Sequence, residues 1–124
     1  MAPITQILVV EDFVEWQVRI QTILRDHFGA RTNIFVSATV EGADKEISRQ
    51  KNRLDLILMD SSLGSGVFTF KFTKKIREVY SYSGPIIAMS TEPTYRKRMR
   101  DFGSSHACDK TWLVDYLKEH FPLE

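Results

Sequence analysis

The stretch Leu56-Ile57-Leu58-Met59-Asp60-Ser61-Ser62 runs four apolar residues straight into a carboxylate, with small polar residues behind it. A short continuous apolar run bounded by turn-forming residues reads as a strand buried on both faces, expected here over 54–59. Strands must end, and Asp is a common turn residue, so Asp60 alone carries little. Its meaning depends on what other strands deliver to the same edge.

Outward from this run, apolar stretches alternate with helical patterns. Strands are expected over 6–10, 33–38 and 86–90, with a weak one over 106–109. Trp16, Ile20, Ile23 and Leu24 recur on one helical face, and Gly29 sits where that helix would stop. A polar surface helix over 40–51 keeps Ala43 and Ile47 on one side. Phe68, Phe72, Ile76 and Val79 give a third helical face, with Phe68 and Phe72 expected in the core and Phe70 off that face. Ser83-Gly84-Pro85 is turn chemistry, a helix over 94–102 stops at Gly103, and a last helix over 112–121 is closed by Pro122. Five strands alternating with five helices imply βαβ units and an open, doubly wound parallel sheet with right-handed crossovers.

Composition sets the frame. The 124 residues suit one domain over 1–124, and 43% hydrophobic with 27% charged residues is an ordinary globular balance. A net charge of +1 gives no sign of a nucleic-acid binder. The single cysteine, Cys108, cannot form an internal disulfide and reads as a small core residue. The apolar run over 7–10 is too short for a signal core, and no window approaches the ~20 apolar residues of a membrane span. The expected setting is cytoplasmic, with no membrane contact.

In open parallel sheets, functional groups gather beyond the carboxyl ends of the strands. Glu11 and Asp12 follow the first strand, Asp60 the third, Ser90 and Thr91 the fourth, and Lys110 the fifth. Each alone is ordinary cap or turn chemistry. Together they place three carboxylates, a hydroxyl and an ammonium on one sheet edge. Clustered carboxylates repel unless a cation sits among them, and an oxygen-only ligand set suits Mg²⁺. A carboxylate can attack phosphorus, and the transferred group then needs its oxygens neutralised by metal, Lys and hydroxyl. Asp60, on the central strand, is the candidate nucleophile. Glu11 and Asp12 are candidate metal ligands, and Lys110 and Ser90 candidate partners of phosphoryl oxygens.

Four segments, over 7–12, 54–66, 85–91 and 102–112, in this order and spacing, resemble the receiver domain of two-component response regulators along essentially the whole chain. The resemblance implies a flavodoxin-like fold with strand order 2-1-3-4-5. It also implies a signalling module that takes a phosphoryl group from a histidine kinase or phosphotransfer protein, in the presence of Mg²⁺, and passes the state to a downstream effector protein or domain. By position, Asp60 matches the phosphoacceptor, Glu11 and Asp12 the acidic pair, Ser90 the switch hydroxyl and Lys110 the lysine. Asp12 matches the direct metal ligand, and the backbone carbonyl of Ser62 completes the metal site together with Asp60.

Three positions depart from that pattern: Thr111 stands where a proline usually follows the lysine, Gly64 where a proline often follows the phosphoacceptor, and Ala107 where Tyr or Phe is common. A degenerate receiver acting as a phosphorylation-independent interaction module is the alternative. A haloacid-dehalogenase-like phosphatase would carry a D-x-D pattern after the first strand, which Glu11-Asp12-Phe13-Val14 lacks. A flavodoxin-like FMN binder would want a Ser/Thr/Gly-rich loop there, not two acids. Arg96, Lys97, Arg98 and Arg100 make the expected fourth helix basic, a solvated face or a partner surface. His27, His106 and His120 read as structural or surface residues.

Overall fold

In the computed structural model, residues 3–50, 53–64 and 66–123 are described. Five parallel strands build the main sheet: β1 (Gln6–Val10), β2 (Asn33–Ser37), β3 (Leu56–Asp60), β6 (Ile86–Met89) and β7 (His106–Cys108). A two-stranded antiparallel hairpin, β4 (Ser62–Leu63) and β5 (Val67–Phe68), lies between β3 and the third helix. The main sheet has the order β2-β1-β3-β6-β7, which is 2-1-3-4-5 when only its parallel strands are counted. The fold is flavodoxin-like α/β, with helices α1 (Val14–Phe28), α2 (Val40–Gln50), α3 (Phe70–Glu78), α4 (Pro93–Asp101) and α5 (Leu113–His120).

The period-two geometry of strands sorts the apolar runs onto two faces. Leu8, Val10, Ile57, Met59, Ile86 and Ala88 pack with Ala43, Ile47, Phe72, Ile76 and Met99. Ile7, Val9, Leu56, Leu58, Ile87 and Met89 pack with Ile20, Leu24, Leu113 and Leu117. Thus α2, α3 and α4 cover one face and α1 and α5 the other, so the strands are apolar throughout rather than alternating.

Element boundaries move by a residue or two from those expected, and one shift matters. β3 runs to Asp60, which pairs in register with Met89, so the carboxylate belongs to the strand end itself. The helix end expected at Lys51 lies outside the described residues. The last helix begins as a 3-10 turn, Lys110–Trp112, whose start is capped by Asp109: the Thr111 N–H donates to Oδ1 at 3.0 Å.

The third helix corrects the sequence reading. Phe68 lies in the hairpin and is 43% exposed, whereas Phe70 is 7% and Phe72 6% exposed. Val79 lies beyond the helix and is also exposed. The Phe68-Phe72-Ile76-Val79 face therefore does not exist. The competing signal was the pair Gly64 and Gly66, both at positive φ (60° and 79°), which reverses the chain and delays the helix to Phe70.

Candidate functional site

The carboxyl ends of β1, β3 and β7 converge. Glu11 leaves β1 completely buried, and Asp60 ends β3 nearly buried. One carboxylate oxygen from each of Glu11, Asp12 and Asp60 lies within 4.8 Å of the other two. Lys110, just past β7, reaches back with Nζ 2.8 Å from Asp60 Oδ2 and 2.6 Å from Glu11 Oε1. Among the described residues there is no cis peptide bond, and Lys110 reaches both acids with Thr111 behind it.

Local chemistry orients each group. The Phe13 N–H donates to Glu11 Oε2 at 3.1 Å, and the Gln17 side chain donates to the Glu11 carbonyl at 2.7 Å. The Ser62 N–H donates to Asp60 Oδ1 at 3.1 Å. Asp12 is exposed and is not the cap of α1, since Phe13 holds that position. Its carboxylate is therefore free of the structural duty that would otherwise explain it. Ser90 follows Met89, the register partner of Asp60. Its Oγ accepts the Glu92 N–H at 3.1 Å, and the Arg96 guanidinium donates to its carbonyl at 2.8 Å.

Electrostatics follow from burial. Burial pushes the Glu11 carboxyl up to about 7, with the nearby Asp60 charge adding to the rise and Lys110 opposing it. Burial alone would lower Lys110, but its contacts with Asp60 and Glu11 outweigh that and hold it above its usual value. Glu11 Oε1 lies 2.6 Å from the Lys110 ammonium, which it shares with Asp60. Three carboxylates within 4.8 Å of one another, with a single ammonium among them, leave net negative charge on oxygen donors that fits a small hard cation. The donor set thus suits Mg²⁺.

Two neighbours of the site, Trp16 and Thr69, were not picked out by sequence reasoning, and a third, Gly64, was noted only as a departure from the receiver pattern. The Trp16 ring lies with its centroid 5.2 Å from Lys110 Nζ and covers the ammonium, although its sequence signal was only that of a helix face. Gly64 lies beside Asp12, where a Cβ would meet Oδ2 at an ordinary contact of 3.4 Å, and it is its φ of 60° that favours glycine there. Thr69 donates its hydroxyl to the Asp60 carbonyl at 2.7 Å, a link no local pattern announces.

No family model matches the sequence, and no curated protein matches it. Solved structures do match the fold. The signal receiver domain of a DNA-binding response regulator from Colwellia psychrerythraea is similar with a TM-score of 0.77 and 18% identity, over 96% of this chain and 99% of that one. The receiver domain of a Pseudomonas aeruginosa sensor histidine kinase, solved with a magnesium ion coordinated in its active site cleft, has a TM-score of 0.71 and 24% identity, over 95% and 97%. The receiver domain of a Saccharomyces cerevisiae response regulator, solved with a histidine phosphotransfer signalling protein, has a TM-score of 0.75 and 20% identity, over 96% and 90%. The fold of this chain is that of response regulator receiver domains.

Proposed function

We propose that residues 1–124 form one receiver unit in which Asp60 takes a phosphoryl group from the histidine of a kinase or phosphotransfer protein, in a reaction that needs Mg²⁺. The observation that carries this reading is the joint placement of Glu11, Asp12 and Asp60 within 4.8 Å, with Lys110 Nζ 2.8 Å from Asp60. An Asp60 carboxylate oxygen attacks phosphorus, and the bond from phosphorus to the donor imidazole nitrogen breaks. The imidazole leaves and takes up a proton, and an acyl phosphate remains on Asp60.

Glu11, Asp12, Asp60 and the Ser62 carbonyl would hold Mg²⁺, which supplies positive charge for the phosphoryl oxygens. Lys110 supplies a second, fixed cation at the same place. The Ser90 hydroxyl turns to donate to a phosphoryl oxygen and in turning gives up the N–H it accepts from Glu92, which frees the first turn of α4. Exposed apolar residues that follow the acids in the chain (Phe13, Val14) and that follow Lys110 (Trp112) suit a docking phosphodonor protein.

The output is a change in the surface carried by α4, whose Arg96, Lys97 and Arg98 face a downstream effector protein or domain. At position 107 an alanine has no rotamer to switch. The chain acts on its own carboxylate only, as a signalling domain and not as an enzyme for a separate substrate. It works in the cytoplasm, without direct nucleic-acid or membrane contact. Among the described residues, no helix is long and apolar enough to cross a membrane.

Titration with a beryllofluoride phosphoryl analogue, with and without Mg²⁺, tests the reading. Saturable, Mg²⁺-dependent chemical-shift changes around Asp60 and Lys110 are expected. No response at any concentration would leave the phosphorylation-independent interaction module.

A further inference from the structure

Thr69 stands at the N-cap of α3, a position where a threonine hydroxyl ordinarily accepts an N–H from the first turn. It makes no such bond. Its Oγ1 donates instead to the backbone carbonyl of Asp60 at 2.7 Å, and its N–H donates to the carbonyl of Ser61 at 3.0 Å. One residue thus clamps two consecutive carbonyls at the base of the β4–β5 hairpin. A cap bond has been given up for contact with the backbone of the candidate phosphoacceptor.

The same hydroxyl lies 3.6 Å from Met99 Sδ on α4, and the Thr73 hydroxyl approaches that sulfur at 3.9 Å. Thr69, Thr73 and Met99 are all fully buried. The residues flanking Thr69 extend the contact. Phe68 stacks on Phe70 with centroids 5.2 Å apart, Tyr95 of α4 meets Phe68 edge-on at 5.2 Å, and Arg98 lies 5.0 Å from the Phe70 centroid. The segment Phe68-Thr69-Phe70 therefore touches the Asp60 backbone on one side and α4 on the other.

We propose that Thr69 is a positioning residue: its buried hydroxyl fixes the Asp60 carbonyl and joins it through Met99 to α4, so that a change at the Asp60 carboxylate is transmitted to that helix. The part of this that concerns phosphoryl transfer rests on the reading of Asp60 as phosphoacceptor. The route is separate from the Ser90 hydroxyl, which reaches α4 at its first turn through Glu92. It also needs no aromatic at position 107. A physical link of this kind must bias a two-state element from both ends to count as coupling.

The test uses Thr69→Val, which deletes the hydroxyl and keeps the shape, and Thr69→Ser, which restores the hydroxyl and drops the methyl. Labelling of Asp60 by acetyl phosphate with Mg²⁺ is expected to slow about tenfold in Thr69→Val and to return to within about twofold of the parent in Thr69→Ser. A structural packing role would rank the variants the other way, because serine leaves a cavity. A second readout needs no phosphodonor. In protein labelled at its methionine methyls, four in all, Asp60→Asn is expected to shift the Met99 signal in the parent and not in the Thr69→Val background. If Thr69→Val does not fold, Met99→Leu, read at the α4 amides, replaces it, with loss of the Asp60→Asn shift expected. A parent that never labels defeats the phosphoacceptor reading, while the Met99 signal still decides the linkage. Equal shifts of Met99 with and without the hydroxyl overturn the proposal.

Discussion

Lys110 Nζ lies 2.8 Å from Asp60 Oδ2, joining the end of β7 to the end of β3 across fifty sequence positions, and the same ammonium lies 2.6 Å from Glu11 Oε1. One cation therefore balances two carboxylates taken out of water. Its removal leaves both uncompensated, and a broken buried pair costs far more than a surface one.

Lys110→Met is accordingly expected to lower stability by about 3 kcal/mol near neutral pH without metal. Chemical denaturation measures it. Mg²⁺, binding the acids of the folded state only, should recover part of the loss by mass action. An unchanged denaturation midpoint would show that the Lys110 contacts contribute nothing.

Asp12 gives the complementary case. It is exposed, and Asp12→Ala removes a negative neighbour of Asp60, so stability should stay level or rise slightly. Mg²⁺ affinity should fall by about tenfold or more, since only Glu11, Asp60 and the Ser62 carbonyl then remain to hold the cation. Isothermal titration with MgCl₂ reads this directly. Parental affinity would remove Asp12 from the metal site.

The two phenylalanines on either side of Thr69 should behave unlike each other. Phe70 is buried and in contact with Phe102 and Tyr95, so Phe70→Ala should cost about 3 kcal/mol. Phe68 is largely exposed in the hairpin, and Phe68→Ala should cost about 1 kcal/mol. Equal costs would contradict the placement of the helix start at Phe70.

Cys108 is buried in the face covered by α1 and α5, and burial pushes its thiol up to about 12 from an ordinary value of 9.0. A thiol kept neutral in the fold contributes stability below its unfolded value, and that contribution is lost as pH rises from there toward 12. At mildly alkaline pH the native protein should react with a thiol reagent only as fast as it opens. Rapid native labelling at the rate of a free thiol would contradict the burial.

These outcomes mirror what the sequence could and could not convey. The strands were legible because a sheet covered on both faces demands unbroken apolar runs, as in 56–59, and the acids were legible because they follow such runs. The hairpin after Asp60 was not, because two-residue strands carry no periodic signal and the aromatic spacing of Phe68 and Phe72 imitates a helix. The Gly64-x-Gly66 pair was the available clue. Thr69 and the Trp16 cover of Lys110 depend on tertiary approach between elements far apart in the chain, which local pattern does not encode.

The central claim is that Asp60 is the phosphoacceptor, and intact-mass measurement of the protein after incubation with Mg²⁺ and acetyl phosphate tests it most directly. The parent should gain one acid-stable, base-labile phosphoryl group, lost when Mg²⁺ is withheld, and Asp60→Asn should gain none. Labelling of Asp60→Asn at the parental level, or no labelling of the folded parent, would contradict it.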